Sequence, residues 1–251
     1  MLMSAKELSG YDVHARDGKI GRVHDLYFDD ERLAVRHLVV DTGGWISGRR
    51  VLVSPHAVEQ LDRDARRLVA NLTREQVEKA PGVDTDKPVS RQQEIEHYDY
   101  YQYPYYWTGF GLWGSMAYPL AYATPASAAG VAGGYAAEAS DGATSDPVQR
   151  ERLQAERDAA DPHLRSAHEV TGYHIEAVDG AIGHLSDLLF EGGSWRIEQL
   201  VVDTRNWLPG KHVALDARTL HRVDWGERKL YVNLTREQVK GSPEYAGAPG
   251  R

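Results

Sequence analysis

Apolar and polar residues alternate along short stretches of this chain, a pattern that predicts β-strands. Strong turn signals separate the stretches, because Asp17-Gly18 supplies the positive φ of a tight hairpin. Gly21 lies inside a strand and indicates a bulge or a close backbone approach. The first eighty residues therefore predict a small domain of five or six short antiparallel strands, at residues 11–15, 20–28, 35–41, 51–53, 58–61 and 68–70.

Two short helices frame these strands. Ser4-x-x-Glu7 has the pattern of a capping box, and Thr73-x-x-Gln76 predicts a capped helix over 73–80 that Pro81 stops. A glycine-rich loop at 43–48 carries Trp45. We expect this tryptophan to cover the end of the sheet, with contact to a partner as the alternative.

The whole pattern recurs, without a gap, 162 positions later. The clearest matches join residues 38–42 to 200–204 and residues 71–77 to 233–239, and Trp45 corresponds to Trp207. We infer a duplication, with domains at 1–82 and 166–243 that pair within the chain or as a homodimer. The positions predicted to define the fold occur in both copies: Asp17, Gly18, Gly21 and Asp41, and Asp179, Gly180, Gly183 and Asp203.

The segment between the copies, 83–165, differs in composition. Residues 100–137 carry no charged side chain, and they open with a tyrosine-rich run followed by glycine, proline and alanine. This composition favours a low-complexity linker that ends in a short helix at 148–160, and some of its aromatic residues could pack back onto a domain. Too few Leu, Ile and Val residues are present for a typical membrane span, but contact with a membrane surface stays open. Residues 244–251 are predicted to be a disordered tail.

Net charge limits the classes of partner. The chain has a formal charge of −8, and 83–165 contribute most of it, with 6 basic against 12 acidic side chains, whereas 1–82 carry 13 of each. An acidic linker between balanced domains disfavours nucleic acid as a partner. We expect a cytoplasmic protein, with a membrane-peripheral location as the alternative, because the N-terminus lacks the pattern of a secretory signal.

Candidate chemistry is sparse. The chain has no cysteine, which excludes disulfides and thiolate chemistry. Its 11 histidines show no convincing ligand spacing, and we interpret them as surface residues. Asp41 and Asp203 are interpreted as carboxylates that bond a strand end or loop, and Asp25 and Asp187 as carboxylates bonded to backbone. We therefore predict no catalytic site, no metal and no cofactor.

The ordered set of 10–11, 17–21, 25–28, 38–42, 51–54 and 71–75 resembles the PRC-barrel family, which is named for the cytoplasmic domain of the photosynthetic reaction centre H subunit. Both copies match it. The resemblance implies a mainly β protein of two small antiparallel barrels in tandem, with short capping helices. It implies little about activity, because members of the family share a fold and differ in function.

The resulting hypothesis is a non-catalytic scaffold that binds an unidentified protein partner. The alternative, from the family resemblance, is a membrane-peripheral accessory protein of a photosynthetic or electron-transfer complex. In either case the candidate contact residues are the aromatic side chains of the two loops and of the linker: Trp45, Trp207, Tyr105, Tyr106 and Trp107.

Overall fold

A computed structural model describes residues 1–46, 48–82, 89, 91–119, 164–204 and 212–247 of the 251-residue chain. Trp207 and the helix predicted at 148–160 lie outside these residues, as do residues 248–251. The backbone of Trp45 is described but its side chain is not.

The first copy forms short strands joined by tight turns. Thr73 caps its last helix through a complete capping box with Gln76, as predicted. The elements, in chain order, are β1 (Leu2–Ser4), α1 (Ala5–Leu8), β2 (Asp12–Ala15), β3 (Gly18–Asp29), β4 (Ala34–Asp41), β5 (Arg50–Val53), β6 (Val58–Asp62), β7 (Arg67–Ala70) and α2 (Arg74–Lys79).

An additional helix, α3 (Arg91–Tyr101), follows the first copy, and the second copy then repeats the pattern of the first. Its elements are β8 (Leu164–Ser166), α4 (Ala167–Val170), β9 (His174–Ala177), β10 (Gly180–Glu191), β11 (Ile197–Asp203), β12 (His212–Asp216), β13 (Leu220–Asp224), β14 (Lys229–Val232) and α5 (Arg236–Lys240).

The strands form two seven-stranded sheets of the same topology. One has the order β5-β4-β3-β2-β7-β6 and the other β12-β11-β10-β9-β14-β13. In each sheet the seventh strand comes from the start of the other copy, since β8 pairs with β3 and β1 pairs with β10. The predicted mainly β fold of two tandem domains is confirmed, but the strands are not all antiparallel as predicted, since β2 pairs with β7 and β9 pairs with β14 in parallel.

Closure of these sheets into barrels was also expected, but hydrogen bonding among the described residues leaves each sheet as an open path. The two edge strands of the first sheet, β5 and β6, follow each other in the chain and are joined by a one-turn 3-10 helix, Pro55–Ala57, which Ser54 caps. In this turn the Ala57 N–H donates to the Ser54 carbonyl oxygen at 2.9 Å, and the Ala57 carbonyl oxygen accepts the Asn71 N–H at 2.7 Å.

Glycine is required at one equivalent position in each long strand. A Cβ atom on Gly21 would lie 2.1 Å from the carbonyl oxygen of Asp41, and one on Gly183 would lie 2.0 Å from that of Asp203. The register of β10 against β9 shifts at the same point, between Ala181 and Gly183. The predicted bulge and close backbone approach are therefore both confirmed.

The chain folds into two units that do not coincide with the two copies. One contains Met1–Tyr11, Val23–Leu38 and Arg165–Arg251, and the other contains Asp12–Arg22 and Val39–Leu164. The N-terminal segment of the first copy therefore belongs to the same unit as the second copy. Each unit has an aliphatic and aromatic core, which includes Leu8, Ile175 and Phe190 in the first and Val13 and Leu68 in the second.

Residues 91–119 are folded rather than a featureless connection. Their side chains pack in the second unit, which contains both α3 and His56 of the 3-10 turn after β5. At the other end of the chain, the segment predicted as a tail begins with residues that pair with β12. Val213 and Glu244 form an antiparallel bridge, and the Tyr245 N–H donates to the His212 carbonyl oxygen at 2.8 Å.

Candidate binding surface

The buried face of α3 consists of polar and aromatic side chains. Glu94, His97, Tyr98 and Tyr101 recur at helical spacing, and Glu94, His97 and Tyr98 are almost completely buried. Burial raises the pKa of Tyr101 above its ordinary value, so its phenol stays protonated at neutral pH. This face of the helix is thus buried without the aliphatic residues that usually line a packed helix.

An ion pair between a partly buried guanidinium and a buried carboxylate lies at the start of the helix. Arg91 Nη1 lies 2.9 Å from Glu94 Oε2, and the Tyr106 hydroxyl donates to Glu94 Oε1 at 2.7 Å. The Arg91 guanidinium also lies 4.3 Å from the centroid of the Trp107 ring. Because the carboxylate is paired and hydrogen-bonded, the cost of burying it is offset.

Aromatic rings join α3 and the residues after it to the turn between β5 and β6, where the ring of His56 meets that of Tyr98 edge-on at 6.1 Å. His56, in the turn after β5, stacks on Tyr103 with a centroid distance of 5.2 Å and meets Trp113 edge-on at 5.0 Å. In the second copy the equivalent residue is Arg218, which is exposed. The interpretation of the histidines as surface residues is therefore wrong for His56, which is buried in the copy that the aromatic segment covers. We define the aromatic cluster as the side chains His56, His97, Tyr98, Tyr101, Tyr103, Tyr105, Tyr106, Trp107 and Trp113.

The segment after the cluster is a tight glycine loop, residues 108–116, which we call the Phe110 loop. Trp113 anchors it, with no exposed surface, and the Gly111 N–H donates to the Gly114 carbonyl oxygen at 2.6 Å. A Cβ atom on Gly111 would lie 2.5 Å from the Met116 carbonyl oxygen. These glycines thus allow close packing of the backbone, whereas their density in the sequence had favoured a flexible linker.

The loop presents Phe110 entirely to solvent. Nearby in the chain, Tyr118 is also exposed, and the rings of Tyr105 and Trp107 stack at 4.7 Å while half-buried. An exposed aromatic side chain on a fixed backbone is a feature of contact surfaces. Phe110 was missed from the sequence, because its exposure depends on the fold of the loop.

Of the contact residues proposed from the sequence, Tyr106 is buried, and its hydroxyl bonds to Glu94 inside the cluster. Tyr105 and Trp107 are accessible in part. The roles of Trp45 and Trp207 stay predictions, since neither side chain is described.

Three of the four fold-defining aspartates accept backbone N–H groups, and for Asp41 this is the bonding interpreted from the sequence. Asp17 accepts the N–H of Arg74 at 2.8 Å, and Asp179 accepts that of Arg236 at the same distance, so each hairpin turn is tied to the first turn of a helix. Asp41 accepts the Gly43 N–H at 2.8 Å in the loop after its strand.

Asp25 and Asp187 bond to backbone too, but they also hold the start of the other copy. The Ser166 hydroxyl donates to Asp25 at 2.5 Å, and the Ser4 hydroxyl donates to Asp187 in the same way. Each serine at the same time caps its own helix, as expected for Ser4. We call these two arrangements, which lie in one unit, the serine–aspartate latches.

Two carboxylates of β10 have opposite pKa shifts. Burial raises the pKa of Asp187, although the Ser4 hydroxyl and the N–H groups of Lys6 and Leu188 act against it. Burial alone would also raise the pKa of Glu191, but hydrogen bonds from the neighbouring turn, led by the Ser194 N–H, lower it to about 2.

None of the helices in the described ranges has the length and apolar content that a membrane crossing requires. Within the same ranges, no group of three or more His, Asp or Glu side chains is arranged to hold a metal ion.

The first copy matches a known protein family. The family model of the PRC-barrel domain matches residues 1–77. No curated protein matches the chain. The resemblance inferred from the sequence is therefore confirmed for the first copy: residues 1–77 are similar to the PRC-barrel domain.

Proposed function

We propose that this protein is a non-catalytic scaffold that binds a protein partner through the Phe110 loop. The observation that carries the proposal is the complete exposure of Phe110 on a loop anchored by the buried Trp113. A side chain of this size is costly to leave in water, and burying it stabilises a complex by roughly 1.5–3 kcal/mol.

The internal hydrogen bonds of the loop support binding. Gly109 and Gly114 have φ angles of 89° and 72°, and backbone hydrogen bonds close the loop between them. Because the backbone is already ordered, little conformational entropy is lost when a partner covers Phe110. The stacked rings of Tyr105 and Trp107 would extend the apolar contact.

The two copies would form the framework that carries this surface. We assign the second copy to the same fold family because its strand order repeats that of the first. Because members of the family share a fold and differ in function, this assignment gives each copy a structural role only. The binding activity that we propose therefore belongs to the aromatic segment. The expectation that the copies pair within one chain or as a homodimer stays a prediction.

Affinity capture from the native host tests the proposal. The baits are the wild-type chain, Phe110→Ser and Val178→Ser, where Val178 is an apolar residue exposed elsewhere. We expect a soluble protein that the wild type and Val178→Ser retain and that Phe110→Ser loses. Equal recovery with all three baits would contradict the role of the loop.

Attachment to a membrane surface, with a role in a photosynthetic or electron-transfer complex, is the second candidate. Exposed aromatic residues such as Phe110 and Tyr118 favour it, since aromatic side chains concentrate at membrane–water boundaries. Sedimentation with liposomes of native lipid composition distinguishes the two. Co-sedimentation that Phe110→Ser abolishes would support this candidate, and its absence in the wild type would exclude direct lipid binding.

A further inference from the structure

A pair of histidines faces each other on the surface of the second sheet. His174 on β9 and His184 on β10 are directly opposed cross-strand partners, and their ring centroids are 4.4 Å apart. Both rings are at least partly accessible to solvent. Two imidazoles at this distance place two nitrogen ligands on one side of the sheet.

The bulge at Gly183 creates this pair. Before the bulge, Gly180 pairs with Ala177; after it the register is shifted by one residue, so that His184 rather than Gly183 lies opposite His174. In a strand, a shift of one residue moves a side chain to the other face. The required glycine therefore also determines that both imidazoles point the same way.

The first copy has charged side chains instead of histidines at the equivalent positions. Asp12 and Arg22 are opposed there, and Arg22 Nε lies 3.0 Å from Asp12 Oδ1. Lys19 adds a second ion pair to Asp12 at 2.7 Å. In the second copy these three positions hold His174, His184 and Ala181, so opposite charges are replaced by two metal-binding side chains.

The row of opposed residues extends beyond the pair. Lys229 is opposed to His174 on one side, and Asp203 is opposed to His184 on the other. Asp203 is in turn opposed to His212, with 3.8 Å between His212 Nε2 and Asp203 Oδ2. A carboxylate beside a ligating histidine is common at metal sites, where it orients the imidazole ring.

We propose that His174 and His184 bind a divalent transition-metal ion of the class that prefers imidazole, such as Zn²⁺ or Ni²⁺. Metal–nitrogen bonds of about 2.0–2.1 Å hold two imidazole nitrogens roughly 3.3 Å apart. The two ring centroids are 4.4 Å apart, with 47° between the ring planes, and binding would require rotation of the side chains to bring one nitrogen of each ring to this separation. Water fills the remaining coordination positions, in keeping with a site of two protein ligands.

Calorimetric titration of the tag-free, full-length protein with ZnCl₂ and NiCl₂ tests this inference. The decisive variant is His174→Asp combined with His184→Arg, because it installs the ion pair that the first copy already has. His221→Gln, which removes an exposed histidine elsewhere on the sheet, is the matched control.

We expect the wild type and His221→Gln to bind one ion with the same affinity. The double variant should bind at least about tenfold more weakly. Loss of a group that only orients a metal ligand lowers the affinity by about tenfold or more, and loss of the ligand itself should lower it at least as much. Equal affinity in the double variant, or no binding by the wild type, would overturn the proposal.

Imidazole NMR spectra give a second readout that does not depend on the double variant folding. Addition of Zn²⁺ should shift the ring ¹⁵N resonances of His174 and His184 and leave that of His221 in place. A shift confined to other histidines would refute the site even if the calorimetric titration shows binding.

Discussion

Replacing Asp187 by alanine removes one acceptor that serves three donors: the Ser4 hydroxyl, the Lys6 N–H at 3.2 Å and the Leu188 N–H at 2.8 Å. The aspartate is 4% exposed, so water replaces these bonds poorly. A typical hydrogen bond contributes about 1 kcal/mol net, and three of them give a loss of about 3 kcal/mol in the free energy of unfolding.

Urea unfolding at pH 7, followed by tryptophan fluorescence, measures this loss. With a slope of about 2–3 kcal/mol per molar urea, the midpoint should fall by roughly 1–1.5 M. Asp64→Ala, in an exposed hairpin turn, is the control and should change the free energy by less than about 0.5 kcal/mol.

The equivalent variant in the other latch gives an internal comparison. Asp25 serves the Ser166 hydroxyl and the N–H groups of His168 and Leu26, but it is only partly buried. Asp25→Ala should therefore cost less than Asp187→Ala. A loss below about 1 kcal/mol for Asp187→Ala, or a larger loss for Asp25→Ala, would refute the reasoning that the latches stabilise the fold in proportion to burial.

Three further predictions concern packing and charge. Gly183→Ala should lower the free energy of unfolding by about 3 kcal/mol or more, because its Cβ atom meets a carbonyl oxygen, whereas Gly44→Ala, with open space around it, should not; thermal unfolding of both compares them. Glu94→Ala should cost about 3–5 kcal/mol, since it leaves a partly buried guanidinium without its carboxylate, and urea unfolding that shows less than about 1 kcal/mol would contradict the ion pair's role. The contributions of Asp187 and Glu191 to the free energy of unfolding should change with pH in opposite directions. As pH rises from below 3.8 through the raised pKa of Asp187, the wild type should lose stability relative to Asp187→Asn. As pH falls from above 4.5 towards 2, it should lose stability relative to Glu191→Gln. Free energies of unfolding measured from acidic to neutral pH check both signs. If the difference between wild type and variant changed with pH in the same direction for Asp187→Asn and for Glu191→Gln, the reasoning would be refuted.

The strands and turns of each copy could be predicted because their signals are local. Asp17-Gly18 fixes a hairpin through backbone conformation alone, and Gly18 indeed has a φ of 146°. The close contact at Gly21 was predictable for the same reason. The exchange of β1 and β8 between the sheets could not be predicted, because it depends on pairing between strands that lie far apart in the sequence.

The aromatic segment was the hardest part to predict. The buried face of α3 contains Glu94, His97, Tyr98 and Tyr101, so hydrophobic periodicity, which marks an ordinary buried helix, is missing. The histidine pair was hidden for a different reason. His174 and His184 come into register only through the bulge at Gly183, which shifts the pairing by one residue.

Site-specific photo-crosslinking in the native host tests the proposed binding surface most directly. A benzoylphenylalanine in place of Phe110 keeps the aromatic character of the side chain, and the same replacement at Val178 is the control. We predict a discrete covalent adduct with a protein from position 110 and none from position 178. Identical adducts from both positions, or none from position 110, would contradict the claim that the Phe110 loop binds a protein partner.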